Sequence, residues 1–259
     1  MREFEDAGHW DRTAEQYEKT AHPFTAQYAE AAWRLAAPPP GARVLDVAAG
    51  TGALALAAAR AGAQVLATDF SPGMVAKIAA HRLPGLEAQV MDGQALSLED
   101  GTFDAVFSIF GVIMFPDWRR GLAEMARVTR PGGRGVVATW REGGAATFLL
   151  LGQVRRTLFP DRAGMTMPAA VLALSEPDDF AREMTAAGFQ APQIEAVTFD
   201  FTLETAALDN PDTLFGMSPD WTSLDAEEKA AVVAVVRRLA GGRSRLPVPS
   251  TALIAVAER

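Results

Sequence analysis

The chain has 259 residues, 49% of them hydrophobic, and a formal net charge of −8. That length can bury a substantial core, and that acidity opposes the dense phosphate field of a nucleic acid. The absence of cysteine and the scatter of the three histidines, at positions 9, 22 and 81, exclude disulfides and zinc–thiolate sites and leave no metal-ligand spacing.

No apolar run reaches the ~18 residues of a membrane span, and the start Met1-Arg2-Glu3-Phe4-Glu5-Asp6 is too polar for a signal peptide. The expectation is a cytoplasmic protein with no membrane span. Residues 10–36 carry helical spacing, with Trp10, Ala14 and Tyr17 followed by Phe24, Tyr28, Ala31 and Leu35, and Pro23 divides them into two helices near His22. Pro38-Pro39-Pro40-Gly41 then ends helical structure. An apolar strand from Val44, a turn at Gly50-Thr51-Gly52, a helix over 53–61 and a second strand, Val65 to Asp69, form the first half of a nucleotide-binding βαβ unit. Further helices are predicted at 73–80 and 118–129, with strands at 103–110 and about 134–140. Beyond these come a helix near 145–157, an irregular Phe159-Pro160-Asp161 stretch, and a helix over 177–187 closed by Gly188. A strand at 195–203, helix within 205–243 (notably 225–240) and a last strand at 251–257 complete the chain. Helical crossovers between consecutive strands imply a parallel sheet of right-handed units.

The turn is chemically specific. Gly50 and Gly52 lack a Cβ, so the backbone there can take positive φ and approach a ligand closely. Asp69, seventeen residues beyond Gly52, is a strand-end carboxylate able to accept hydrogen bonds from both hydroxyls of a ribose. Gly50-Thr51-Gly52-Ala53-Leu54-Ala55 also satisfies the dinucleotide fingerprint. Asp46 discriminates: a carboxylate just before the turn repels a pyrophosphate seated on the helix N-terminus, but suits a ligand with an ammonium, such as S-adenosylmethionine.

Val44-Leu45-Asp46-Val47-Ala48-Ala49-Gly50-Thr51-Gly52 resembles motif I of class I S-adenosylmethionine-dependent methyltransferases, departing from the commonest glycine pattern at Ala48. Met91-Asp92-Gly93-Gln94-Ala95-Leu96 resembles the family's segment after strand 3. Phe103-Asp104-Ala105-Val106-Phe107-Ser108-Ile109-Phe110 is similar to its strand 4, and Arg130-Pro131-Gly132-Gly133 to the turn into strand 5. These matches cover about residues 40–140 and point to the ubiquinone/menaquinone-biosynthesis C-methyltransferase-like branch, which acts mostly on small molecules.

The resemblance implies an α/β, Rossmann-like, doubly wound seven-stranded sheet, mostly parallel with an antiparallel last strand. It implies one domain over 1–259, with a helical N-terminal lid (1–40) and inserted cap segments (141–193 and 205–243). S-adenosylmethionine is the expected cofactor, with Asp46, Ala48, Gly50 and Gly52 at the turn, Asp69 on the ribose, and Phe70 and Met74 flanking the adenine. Asp92 and Gly93 meet the adenine edge, Ser108 belongs to the same cofactor-binding set, and Tyr17 folds over the methionine end. His22 is the candidate general base, because imidazole titrates near neutrality.

The strand 4 exit, Ser108-Ile109-Phe110-Gly111, lacks the N/D-P-P-Y/F of enzymes that methylate a flipped base, which disfavours a nucleic-acid substrate. Phe115, Trp140, Phe148, Phe159, Met165, Met167, Phe215, Met217 and Trp221 are candidates for an apolar pocket. The expected reaction is methyl transfer to an O, N or C atom of a small, apolar or aromatic metabolite. The alternatives are an NAD(P)-dependent reductase, disfavoured by Asp46 and by the lack of a Tyr-x-x-x-Lys pair, and a non-catalytic S-adenosylmethionine-binding protein.

Overall fold

In the computed structural model the described residues are 6–141, 146–162, 167–216 and 218–259. They fall into two units, the first Met1–Arg141, Pro168–Val197 and Ala252–Arg259, the second Glu142–Met167 and Thr198–Thr251.

Chain order begins with α1 (Ala7–Thr20), α2 (His22–Ala36), β1 (Arg43–Val47), α3 (Ala53–Arg60), β2 (Gln64–Asp69), α4 (Pro72–Ala80) and β3 (Leu86–Val90). Next come β4 (Phe103–Ile109), a 3-10 turn (Val112–Met114), α5 (Trp118–Val128) and β5 (Thr129–Trp140). The remainder is α6 (Ala146–Leu158), α7 (Ala169–Ala173), α8 (Pro177–Ala186), β6 (Gln190–Glu204), α9 (Pro211–Phe215), α10 (Pro219–Thr222), α11 (Ala226–Ala240) and β7 (Arg245–Glu258).

The seven strands lie in the order β3-β2-β1-β4-β5-β7-β6. Strands β1 to β5 are parallel, with Val44 opposite both Val65 and Ala105, and β7 runs antiparallel to β5 with Arg134 opposite Glu258. This is the fold class read from the sequence. The chain runs outward from β1 through β2 to β3, then returns to β4 on the other side of β1. The reversal opens a crevice at the carboxyl ends of β1 and β4, where open α/β sheets bind ligands.

Local sequence explains most element ends. Asp6 caps α1 by accepting from Gly8 N at 3.0 Å, and the helix break falls at Ala21, two residues before Pro23, which sits in the first turn of α2 where its missing N–H costs nothing. Ser71 caps α4 by accepting from Met74 N at 3.1 Å, with Pro72 next to it. Helix α5 buries Trp118, Leu122, Met125 and Ala126 on one face, at helical spacing. Three bounds differ from expectation. Strand β5 begins at Thr129, because Arg130–Gly133 is taken into it as a bulge: Phe103 pairs with Thr129 but Ala105 with Arg134. Both β6 and β7 run several residues longer than their alternation indicated, and α7 was not foreseen.

The second unit has its own core, with Leu151, Val154, Phe215, Trp221, Val232 and Val236 all buried. Phe215 and Trp221, read from sequence as pocket lining, are core residues there. A capping box joins Asp225 and Glu228 at the start of α11. Within this unit Arg155 Nη1 meets Asp220 Oδ1 at 2.6 Å, both side chains 7% exposed. Met165, Met217 and the Phe148 side chain lie outside the described residues. Among the described residues no helix is long and apolar enough to cross a membrane, and no group of three or more His, Cys, Asp or Glu side chains is arranged to hold a metal ion.

Candidate active site

The loop after β1 puts Ala48, Gly50 and Gly52 at φ of +54°, +56° and +90°. Glycine takes that conformation freely, whereas alanine carries a cost of about 1–2 kcal/mol. The Ala48 methyl is seated opposite Gly111, where any Cβ would stand 2.5 Å from it. A Cβ on Gly52 would come within 3.0 Å of Ile78 Cγ1, so α3 and α4 approach closely there.

Two acids flank this loop. Asp46, 1% exposed, accepts from Ala55 N at 3.1 Å through Oδ2. Burial, reinforced by the neighbouring Asp69 charge and only partly offset by that hydrogen bond, pushes its carboxyl up to about 8. Asp69, 5% exposed, accepts from Gly50 N through Oδ2 and from Ser71 N through Oδ1, each at 2.9 Å. Burial raises its carboxyl too, while these backbone N–H groups work in the opposite direction. Each carboxylate oxygen keeps a second lone pair for a ligand hydroxyl.

A cavity of about 220 Å³ opens beside the loop. Of the residues singled out from sequence, Tyr17, Ala48, Gly50, Asp69, Phe70, Met74, Asp92 and Gly93 line it, together with Trp10, Met91, Gln94, Ile109, Phe110, Met114, Phe115 and Pro116. Asp92 Oδ1 accepts from Gln94 N at 2.9 Å and from Gln94 Nε2 at 3.1 Å, an Asx turn that holds the β3 exit. Gln94 Oε1 in turn accepts from Asp117 N at 2.8 Å. Phe115 packs so tightly on Gly93 and Gly121 that a Cβ on either would stand 2.5 Å from its ring. Phe110, itself at φ +62°, stacks on Trp140 with centroids 3.9 Å apart. Strained backbone at both strand exits marks this crevice.

Four of the expected residues stand behind the lining. Asp46 faces a separate cavity of about 20 Å³ under the loop, shared with Tyr17, Thr25, Gly50 and Thr51. Gly52 starts α3. Ser108 Oγ donates to Val47 O and accepts from Val112 N, both at 2.9 Å, tying β1 to the β4 exit. His22 Nδ1 lies 2.7 Å from Thr51 Oγ1, and burial lowers the ring's pKa, so it is neutral at pH 7.

Helix α1 forms the roof. Asp11 Oδ1 accepts from Ser71 Oγ at 2.6 Å and Gly73 N at 2.7 Å, and Lys77 reaches Glu18 at 2.9 Å and Glu15. These bonds hold Tyr17 over Gly50, with Trp10 edge-on to it at 6.1 Å. Burial pushes the Tyr17 hydroxyl up to about 12, so it stays protonated. Trp10 was not singled out for the site, although it lies seven residues before Tyr17 on one helix face, a spacing that could have marked it. Met114, Pro116 and Gln94 reach the cavity through folds of loop that carry no periodic signal.

A pocket lined by the buried Asp69, with the buried Asp46 behind the same loop, suits a nucleoside with a cationic end and does not suit a pyrophosphate. Together with the crossover at β1 and β4, it defines a Rossmann-like nucleoside-binding protein. A methyltransferase domain family matches residues 44–133. The demethylmenaquinone methyltransferase of Corynebacterium efficiens is 35% identical over 179 residues, covering 65% of this chain and 76% of that protein. That of Mycolicibacterium gilvum is 39% identical over 140 residues, 54% of this chain and 57% of that protein. Haemonchus contortus phosphoethanolamine N-methyltransferase 2, solved with phosphomonomethylethanolamine and S-adenosylhomocysteine, shares the fold with a TM-score of 0.57 and 15% identity, over 96% of this chain and 57% of that one. The chain belongs to the class I S-adenosylmethionine-dependent methyltransferases, in their menaquinone/ubiquinone branch, and S-adenosylmethionine is its cofactor. The reductase alternative is thereby set aside.

Proposed function

We propose that this methyltransferase acts on a ring carbon of a small, apolar aromatic acceptor of the quinol type. The observation that carries the reading is a cavity whose acidic floor at the glycine loop meets an apolar wall of Ile109, Phe110 and Met114. The names of the relatives, demethylmenaquinone methyltransferases, support the same acceptor class.

The cofactor supplies an already activated methyl group on a sulfonium, so the protein's task is positioning and exclusion of water. Asp69 accepts the ribose hydroxyls. Asp92 and the Gly93 N–H hold the adenine edge, with Phe70 and Met74 on its faces. Ala48, Gly50 and Gly52 let the backbone approach the methionine end, which Tyr17 covers and whose charge Asp46 answers. Ser108 fixes the exit of β4 beside it. His22 is the residue proposed for proton removal from the acceptor, its neutral ring having a lone pair to accept with, although it stands behind the cavity lining on Thr51.

The test is transfer of labelled methyl from S-adenosylmethionine to a naphthoquinone lacking the ring methyl, kept reduced so that the ring carbon is nucleophilic. Label on the ring is the expected outcome. Binding of S-adenosylhomocysteine without transfer to any naphthoquinol or benzoquinol rejects this acceptor class. In His22→Ala, lost turnover with unchanged cofactor affinity fits the base, whereas near wild-type turnover with weakened cofactor binding reduces His22 to holding Thr51.

A further inference from the structure

Elsewhere in the chain buried or half-buried carboxylates meet cations: Glu124 closes on Arg127 and Asp220 on Arg155. Asp46 and Asp69 meet backbone N–H groups instead, and among the described residues no cationic side chain closes an ion pair with either. Asp46 is also the wall of the 20 Å³ cavity, a space of the size that holds one water or one ammonium-sized group. That space shares Tyr17, Ala48, Gly50 and Ile109 with the cofactor cavity, so the two adjoin.

Among the described residues, the titratable groups that surround Asp46 supply no positive charge at pH 7. Asp69, from β2, is a second acid, pushed up by burial. Tyr17, from α1, stays protonated and neutral. His22, from α2, reaches the same space through Thr51, and burial keeps its ring neutral. Helix α3 contributes the Ala55 N–H. A carboxylate so enclosed is charged only when a cation joins it, and without one it holds its proton.

Resting on the cofactor reading above, we propose that binding of the cofactor's cationic end expels a proton from Asp46 to solvent. The free protein then holds a neutral carboxyl, and the complex holds a carboxylate paired with a ligand cation. Affinity rises with pH up to about 8, by up to about tenfold per unit, and levels off above.

Titration calorimetry at pH 7 in phosphate and in Tris, whose ionisation enthalpies differ, reads the protons released per ligand bound. With S-adenosylmethionine or S-adenosylhomocysteine the wild type releases about nine-tenths of a proton more than Asp46→Asn, a difference that shrinks to about one-tenth at pH 9. The subtraction removes any contribution from the ligand's own amine. Release with both ligands assigns the ammonium as the partner cation, and release with S-adenosylmethionine alone assigns the sulfonium. 5′-Methylthioadenosine, with the nucleoside but neither cation, shows no excess. Equal release by wild type and Asp46→Asn, or an equal excess with methylthioadenosine, overturns the proposal. Failure of all three ligands to bind overturns the cofactor reading instead. Carbon NMR of the wild type with labelled aspartate carboxyls needs no variant. It is expected to show a carboxyl titrating near pH 8 that leaves this range when S-adenosylhomocysteine binds. A free protein whose aspartates have all titrated by pH 6 sinks the idea.

Discussion

Both units bury an aspartate, and they do so in opposite ways. In the second unit Asp220 is closed by Arg155 at 2.6 Å, so its charge is neutralised once the unit folds. At the glycine loop of the first unit Asp46 is as deeply buried and has a backbone N–H in place of a cation. The contrast separates a charge built for architecture from one left for a ligand to complete.

The comparison breaks most visibly at Arg155. Replacing it with leucine strands Asp220 in an apolar core and is expected to cost about 3–5 kcal/mol, whereas Arg155→Met with Asp220→Leu costs far less. Urea denaturation checks both, and equal losses in the two variants would deny the pair its architectural role.

Asp46 sharpens the other side. Its folded pKa of about 8 lies above the ordinary 3.8, so its contribution to stability is fully present below about pH 4 and is lost as pH rises through 8. Relative to Asp46→Asn, the wild type should therefore lose a few kcal/mol between pH 4 and 9. Thermal melts of the two proteins across that range read the difference, and parallel stability curves would count against a buried, uncompensated carboxyl.

Asp69→Ala comes next in size, with an expected ~100-fold loss of S-adenosylhomocysteine affinity from removal of charge-assisted hydrogen bonds, each about 1.5–3 kcal/mol. Unchanged calorimetric affinity removes Asp69 from the ribose. The smallest effect belongs to Ala48→Gly, which relieves an alanine held at φ +54° and should stabilise the free protein by about 1 kcal/mol in urea melts. No gain there means that the contact with Gly111 offsets the strain.

What was legible in the sequence was local. The glycine turn, the acid closing β2 and the capped start of α4 each depend on neighbours a few residues away, and four matching segments in register gave the sheet order its expectation. Helix α11 was readable because Asp225 and Glu228 begin it and Gly241, at φ +59°, ends it. The roof bond from Asp11 to Ser71 and the pair Arg155–Asp220 join residues 60 and 65 positions apart and leave no periodic trace. The early part of β6 was missed for a physical reason: Ala191 at φ +45° and Pro192 interrupt the alternation of that strand.

The ties of the roof differ in their response to salt. The Lys77 pairs with Glu15 and Glu18 lie at the surface, where ion pairs contribute little and weaken with salt. Salt therefore weakens these two ties first, and the Asp11 bonds to Ser71 Oγ and Gly73 N remain to hold α1 against α4.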